Sequence, residues 1–200
     1  MKSVHVISGR GVPLRRSDVD TDQIIPAEWL KRVERTGFEK GLFSTWRDDR
    51  NFVLNDERYA GASILVAGPS FGVGSSREHA VWAIQQYGFD AVIAPSFSDI
   101  FSGNAFKNGI LTVVLSQEQV DRLMEVAETD PITIDLEHQT VTTPFQDRFT
   151  FEIDPFRKHC LLGGLDEVAI TMESSTAITG YEARMARDKP WLARGTGVAA

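Results

Sequence analysis

One cysteine, Cys160, stands in 200 residues. A lone thiol cannot close an internal disulfide, cannot build a cysteine-rich zinc site, and cannot by itself hold an iron–sulfur cluster, which normally takes several thiolates. Any such metal has to arrive on another chain. The sequence also lacks an apolar run of about 18 residues, so no segment reads as a membrane span. The opening stretch from Met1 to Arg10 has no apolar core before a small-residue cleavage site, which leaves a cytoplasmic location as the expectation. Positive charge is in deficit: 21 Lys and Arg face 28 Asp and Glu, for a net charge of −7. Without a basic block to track a phosphate backbone, nucleic acid is excluded as a main partner. What is present, 42% hydrophobic and 24% charged residues, is the composition of one ordinary globular core. Sixteen Gly and eight Pro are too few for a collagen-like or disordered chain.

Along the chain, Val4 to Val12 reads as a strand and the polar stretch Ser17 to Gln23 as a loop. Short helical patterns follow over 27–35 and 39–46. The compact apolar runs Ser63 to Ala67 and Ala91 to Ala94 read as buried strands flanking a helix over 76–87, which is a βαβ-like unit. A short helix over 99–106 and a strand over 110–115 come next. Ser116 and Gln119 then form a capping box for a helix whose Val120, Leu123, Met124 and Ala127 make one apolar stripe. Segments 132–136, 140–142 and 149–153 alternate as strands of a half-exposed antiparallel sheet. Asp154-Pro155 opens a further helix, Gly163-Gly164 ends it, and residues from Leu165 to about Arg187 are again helical. The expected fold is therefore mixed α/β, a mixed sheet with flanking helices. One domain over 1–190 and a frayed tail over 191–200 complete the expectation.

The most informative stretch is Gly68-Pro69-Ser70-Phe71-Gly72-Val73-Gly74-Ser75-Ser76-Arg77-Glu78-His79-Ala80, a glycine turn feeding polar residues into a helix start. Such a turn offers backbone N–H groups to an anion. No Gly-Lys-Ser/Thr follows, and Arg77 stands where a dinucleotide fingerprint needs glycine, so neither ATP nor NAD is supported. The hydrolase pattern Gly-x-Ser-x-Gly is absent as well. Two readings of Ser75 stay open. It can be the helix N-cap, forming a capping box with Glu78, or it can be a reactive hydroxyl beside Arg77, whose guanidinium can clamp a carboxylate.

Taken with Asp20-Thr21-Asp22-Gln23-Ile24-Ile25-Pro26 upstream and Asn104-Ala105-Phe106-Lys107-Asn108-Gly109 downstream, these residues resemble the swivel domain of the aconitase superfamily. Within it they are most similar to the small-subunit family of 3-isopropylmalate dehydratases, over essentially residues 1–190. The resemblance implies a swivelling β/β/α domain of a two-subunit hydro-lyase that interconverts 2- and 3-isopropylmalate through isopropylmaleate in leucine biosynthesis. The large partner subunit would carry a [4Fe-4S] cluster acting as Lewis acid. On the matching positions Ser75 would be the catalytic base, Ser76 a donor to a substrate carboxylate, and Arg77 the carboxylate clamp. Asp22 would be the acidic residue orienting groups around the cluster.

The resemblance also places Trp29, Leu30, Lys31 and Arg32 in a loop that reads the substrate side chain. Trp29 and Leu30 would suit an isopropyl group, while Lys31 and Arg32 would suit a further carboxylate. A methylmalate/citraconate or homoaconitate hydro-lyase therefore stays open beside isopropylmalate, as does a non-catalytic anion-binding module. For Trp29 and Leu30 the alternative is the buried face of a short helix, and for 20–22 a solvated turn. His79 reads as a helix histidine in the fold, and Asn104 and Lys107 as residues that organise a turn.

Overall fold

The alternating segments become seven strands of one sheet in the computed structural model, which describes residues 1–192. They are β1 (Val6–Leu14), β2 (Ile64–Ala67), β3 (Ala91–Ala94), β4 (Leu111–Val114), β5 (Pro131–Asp135), β6 (Thr140–Thr142) and β7 (Arg148–Thr150). Their spatial order is β4-β3-β2-β1-β5-β6-β7. Strand β1 is long enough to serve two neighbours. Its Gly11–Leu14 half pairs in parallel with β2, and its Val6–Arg10 half pairs antiparallel with β5. From β1 the sheet continues in parallel through β3 and β4 and antiparallel through β6 and β7.

Helices α1 (Thr21–Ile24), α2 (Ser44–Arg47), α3 (Glu78–Tyr87), α4 (Asp99–Lys107), α5 (Gln117–Val126) and α6 (Pro155–Gly163) complete the first of two compact units, Met1–Gly164. Because side chains alternate along a strand, the apolar runs feed two cores. Leu65, Ala67, Val92 and Ala94 pack with Ala80, Val81, Ile84, Phe101 and Ala105 of α3 and α4. Ile64, Val66, Ala91, Ile93, Leu111 and Val113 pack with Val120, Leu123 and Met124 of α5. Both faces of the parallel half are thus covered, which is why β2 and β3 read as unbroken hydrophobic segments. The second unit, Leu165–Ala200, contains α7 (Glu167–Glu173) and α8 (Ser175–Asp188). The continuous helix expected beyond Leu165 is broken at Ser174, whose backbone leaves helical geometry (φ −91°, ψ 11°). Of the expected frayed tail, 193–200 lie outside the described residues.

Three further expectations change. The polar stretch before Pro26 is not all loop: Asp20 caps α1 by accepting from the Gln23 N–H while the Gln23 side chain accepts from the Asp20 N–H. The helical patterns over 27–35 and 39–46 fold as 3-10 turns, Ala27–Lys31 and Phe38–Lys40, followed by the single turn of α2. The first turn ends at Arg32, which is extended (φ −73°, ψ 139°), and Gly37, in the left-handed region at φ 87°, opens the second. Helix α3 starts two residues later than expected, with Arg77 at its N-cap in extended conformation.

Candidate active site

Strands β1 and β2 are adjacent and parallel, so the segments that follow them leave the sheet at the same edge, the carboxyl edge where open α/β sheets place their ligands. The two segments then lace together. Gly68 N–H donates to the Arg16 carbonyl at 3.0 Å, Asp18 N–H to Pro69 at 2.9 Å, Gly72 N–H to Val19 at 2.7 Å and Thr21 N–H to Val73 at 2.9 Å. The Thr21 hydroxyl, buried, donates to the Ser75 carbonyl at 3.0 Å. The segment after β3 joins from the other side, with the Ser98 hydroxyl donating to the Gly72 carbonyl at 2.5 Å. Through these bonds the Asp20-Thr21-Asp22 motif and the glycine turn, about 50 residues apart in sequence, form one surface.

On that surface Ser75, Ser76 and Asp22 are exposed. The capping reading of Ser75 is overturned: the cap of α3 is Arg77, with no side-chain cap bond, because Gly74 at φ 94° turns the chain before the helix begins. The Ser75 hydroxyl is thereby left out of the helix start and stands two residues ahead of it. The Arg77 side chain, only 15% exposed, forms a short ion pair with Asp22, whose side chain is 56% exposed. Arg77 Nη1 also donates to the Ile25 carbonyl at 3.5 Å. Both contacts use Nη1, so the Nε–Nη2 edge of the guanidinium is the side that can grip a carboxylate in two parallel bonds.

Of the four residues expected to read a substrate side chain, Trp29 packs half-buried on the core, against Gly41. Leu30 is half-buried, while Lys31 and Arg32 are exposed. The Arg32 guanidinium lies 5.2 Å from the centre of the Trp29 ring and donates to the Gly37 carbonyl at 3.4 Å. His79 sits in an aromatic cluster, 5.3 Å from Phe38 and 4.7 Å from Trp82 between ring centres. Sequence reasoning passed over Thr21 as a tie between the loops, over Ser98, and over Asn108. Asn108 accepts from the Trp82 indole N–H at 3.0 Å and donates to Glu78 at 3.0 Å, joining the end of α4 to α3. Thr21 and Asn108 lie in the motifs that carry the resemblance, and Ser98 has only its polarity to point to it; the partners of all three lie in other segments.

A separate cleft of about 400 Å³ opens beside the end of β1 and is lined by Arg15, Arg16, Asp56, Arg58, Tyr59 and Glu128 among others. It contains none of Ser75, Ser76, Arg77, Asp22 and residues 29–32. Four of its charges form two pairs, Arg15 with Glu128 at 2.8 Å and Arg58 with Asp56 at 2.6 Å, while the Arg16 guanidinium lies 4.2 Å from the centre of the Trp46 ring. Hydrogen bonds from the Arg58 side chain and backbone hold the Asp56 carboxyl below its usual range. Burial raises the Tyr59 phenol against the opposing pull of Arg58.

Among the described residues no group of three or more His, Cys, Asp or Glu is placed to hold a metal ion. Cys160 is fully buried in α6, a helix that follows the last strand of the sheet. The donor set of a [4Fe-4S] cluster is thus missing from these residues. Also among them, no helix is long and apolar enough to cross a membrane.

The half of the chain that carries the glycine turn and the Arg77–Asp22 pair is of the class of the aconitase C-terminal domain, whose family model matches residues 1–118. The LeuD_N model matches 121–155, and the model for the C-terminal domain of the 3-isopropylmalate dehydratase small subunit matches 167–195. A 3-isopropylmalate dehydratase small subunit of Novosphingobium aromaticivorans is 62% identical over 200 residues, covering 100% of this chain and 99% of the relative. One of Zymomonas mobilis is 59% identical over 192 residues, 96% of this chain and 100% of the relative. The crystal structure of 3-isopropylmalate dehydratase from Methanocaldococcus jannaschii superposes with a TM-score of 0.65 at 27% identity, covering 88% of this chain and 99% of that one. The chain belongs to the family of 3-isopropylmalate dehydratase small subunits.

Proposed function

We propose that the chain is the small subunit of a hydro-lyase that isomerises 2-isopropylmalate and 3-isopropylmalate through 2-isopropylmaleate in leucine biosynthesis, working in the cytoplasm and only with a large subunit. The observation that carries this reading is an exposed Ser75 that does not cap α3, two residues before Arg77 with its guanidinium held on Asp22, in a chain whose relatives over its full length are such subunits. A [4Fe-4S] cluster on the partner would supply a Lewis acid for the substrate hydroxyl. This chain offers no ligand set for it, and its own residues act on the rest of the substrate.

Arg77 grips one substrate carboxylate through its Nε–Nη2 edge, and Asp22 fixes the orientation of that edge by holding Nη1. Ser76 donates a further hydrogen bond to a carboxylate. Ser75 takes the proton from the carbon next to the clamped carboxylate, hydroxide leaves the neighbouring carbon, and the double bond of isopropylmaleate forms between them. Returning the proton to the carbon that lost hydroxide, and hydroxide to the carbon that lost the proton, completes the isomerisation. Negative charge on Ser75 and on the clamped carboxylate is favoured by the Arg77 cation and by the backbone N–H groups at the start of α3. Trp29 and Leu30 supply an apolar wall for the isopropyl group, with Lys31 and Arg32 at its exposed rim.

The test is anaerobic co-expression with a large subunit from the same organism, following isopropylmaleate spectroscopically. Activity is expected to need both chains. Ser75→Ala should lower kcat about 10²- to 10⁴-fold, the range for loss of a proton-transfer group. Arg77→Lys should cost about a hundredfold or more, because an ammonium cannot make the two parallel bonds. Turnover of methylmalate or homoaconitate in place of isopropylmalate would keep the chemistry and move the substrate. A Ser75→Ala pair with wild-type kcat would remove the base from this chain.

A further inference from the structure

We infer that Gln86 is a positioning residue for the substrate-reading segment, so that α3 holds that segment at both ends; the inference rests on the functional reading above. At its start α3 carries Arg77, which binds Asp22 and the Ile25 carbonyl. Near its end, about 13 Å further along the helix, the Gln86 amide makes two bonds to the returning chain. Its Oε1 accepts from the Phe38 N–H at 2.9 Å, and its Nε2 donates to the Arg35 carbonyl at 2.8 Å. A neutral amide presents a donor and an acceptor side by side, which is what one free carbonyl and one free N–H of a bending chain require.

Between these two grips runs the stretch that carries Trp29, Leu30, Lys31 and Arg32. From Lys31 to Thr36 every residue is exposed, and Val33 is 93% exposed. Such a stretch has little packing of its own to fix its position. Besides the two grips, its ties include the backbone bonds of the 3-10 turn, Trp29 on Gly41, the Arg32 guanidinium on the Trp29 ring and its bond to Gly37, and the Arg35 guanidinium 5.9 Å from the centre of the Trp82 ring, itself on α3. Ser75, by contrast, is held at its carbonyl by the Thr21 hydroxyl, and the glycine turn before it by the Gly72 bond to Val19 and the Ser98 bond to Gly72, none of which involves Gln86. Loosening the Gln86 clasp therefore leaves the proton-transfer group in place and frees the wall that meets the substrate side chain. The consequence is lost discrimination more than lost turnover.

The experiment uses the co-expressed, cluster-loaded complex with Gln86→Met, which keeps the size of the side chain and removes both bonds. We expect KM for isopropylmalate to rise about tenfold, in line with the loss of two hydrogen bonds, while kcat changes by less than about threefold. The preference for isopropylmalate over methylmalate should fall by a similar factor. Gln86→Glu keeps the acceptor for Phe38 and loses the donor to Arg35, and it should fall between. Amide hydrogen exchange gives a readout independent of turnover: the Phe38 N–H should exchange faster in Gln86→Met while amides of β2 and β3 keep wild-type rates. An unchanged substrate preference, or kcat falling in step with kcat/KM for both substrates, overturns the positioning role, and an unchanged Phe38 exchange rate overturns the clasp itself. A wild-type complex that does not turn over isopropylmalate is a different result, because it removes the functional reading while the exchange measurement still reports on the clasp.

Discussion

At Gly72 the backbone adopts φ 76°, and a Cβ there would run into the Phe101 ring, which is itself stacked edge-on against Phe71 at 5.1 Å. The residue is also bonded on both sides, to Val19 and Ser98. Left-handed strain and steric overlap therefore act together. Gly72→Ala is expected to destabilise the chain by about 2–4 kcal/mol, read as a lower midpoint in urea. Gly74 is equally left-handed, at φ 94°, but its nearest neighbour, Asp20 Cβ, lies 3.5 Å away. Gly74→Ala should cost only about 1 kcal/mol, from strain alone. Equal losses at the two sites would show that the Phe101 ring yields, and that the turn is held by its hydrogen bonds.

At the scale of single elements, the β5–β6 hairpin carries a titratable turn. Asp135 accepts from the His138 N–H at 2.9 Å and contacts His138 Nδ1 at 2.8 Å. The backbone bond first, then the side-chain bond, holds its carboxyl below the usual range. A carboxyl depressed in the folded state stabilises above its unfolded value, and that stabilisation is lost as pH falls through the folded value. Asp135→Asn should therefore lower the thermal midpoint at neutral pH, and the gap to wild type should close in strong acid; a gap that does not change with pH would assign the effect to turn geometry. Elements of this kind were legible in the sequence because their signals are local: the Ser116 and Asp154 caps, the apolar stripe of α5 and the alternation of β5 and β6 each lie within a few residues. The site was legible as motifs but not as geometry. Ser75 and Glu78 have capping-box spacing, yet the left-handed Gly74 and the pull of Thr21 on the Ser75 carbonyl shift the cap to Arg77. The Arg77–Asp22 pair spans 55 residues and follows from β1 lying beside β2, which no local pattern encodes.

Across the whole molecule, burial is divided unevenly. Every residue of both hydrophobic clusters lies in the first unit, Met1–Gly164. In the second unit α7 and α8 contain no buried residue, and Val168, Met172 and Tyr181 are more than half exposed. Helices of 7 and 14 residues without a core of their own fall at or below the length at which an isolated helix is stable in water. A chain ending at Gly164 keeps all of the packing described for the sheet, the laced loops and the Arg77–Asp22 pair. It should therefore unfold in one cooperative calorimetric transition, with a midpoint within a few degrees of the full chain, since about 1 kcal/mol shifts the midpoint of a domain of this size by roughly 2–4 °C. A peptide of 165–200 should show little helical circular dichroism by itself. If the shortened chain lost its cooperative transition, the two cores would not suffice to hold the sheet, and the C-terminal helices would have to be counted as part of the folding unit.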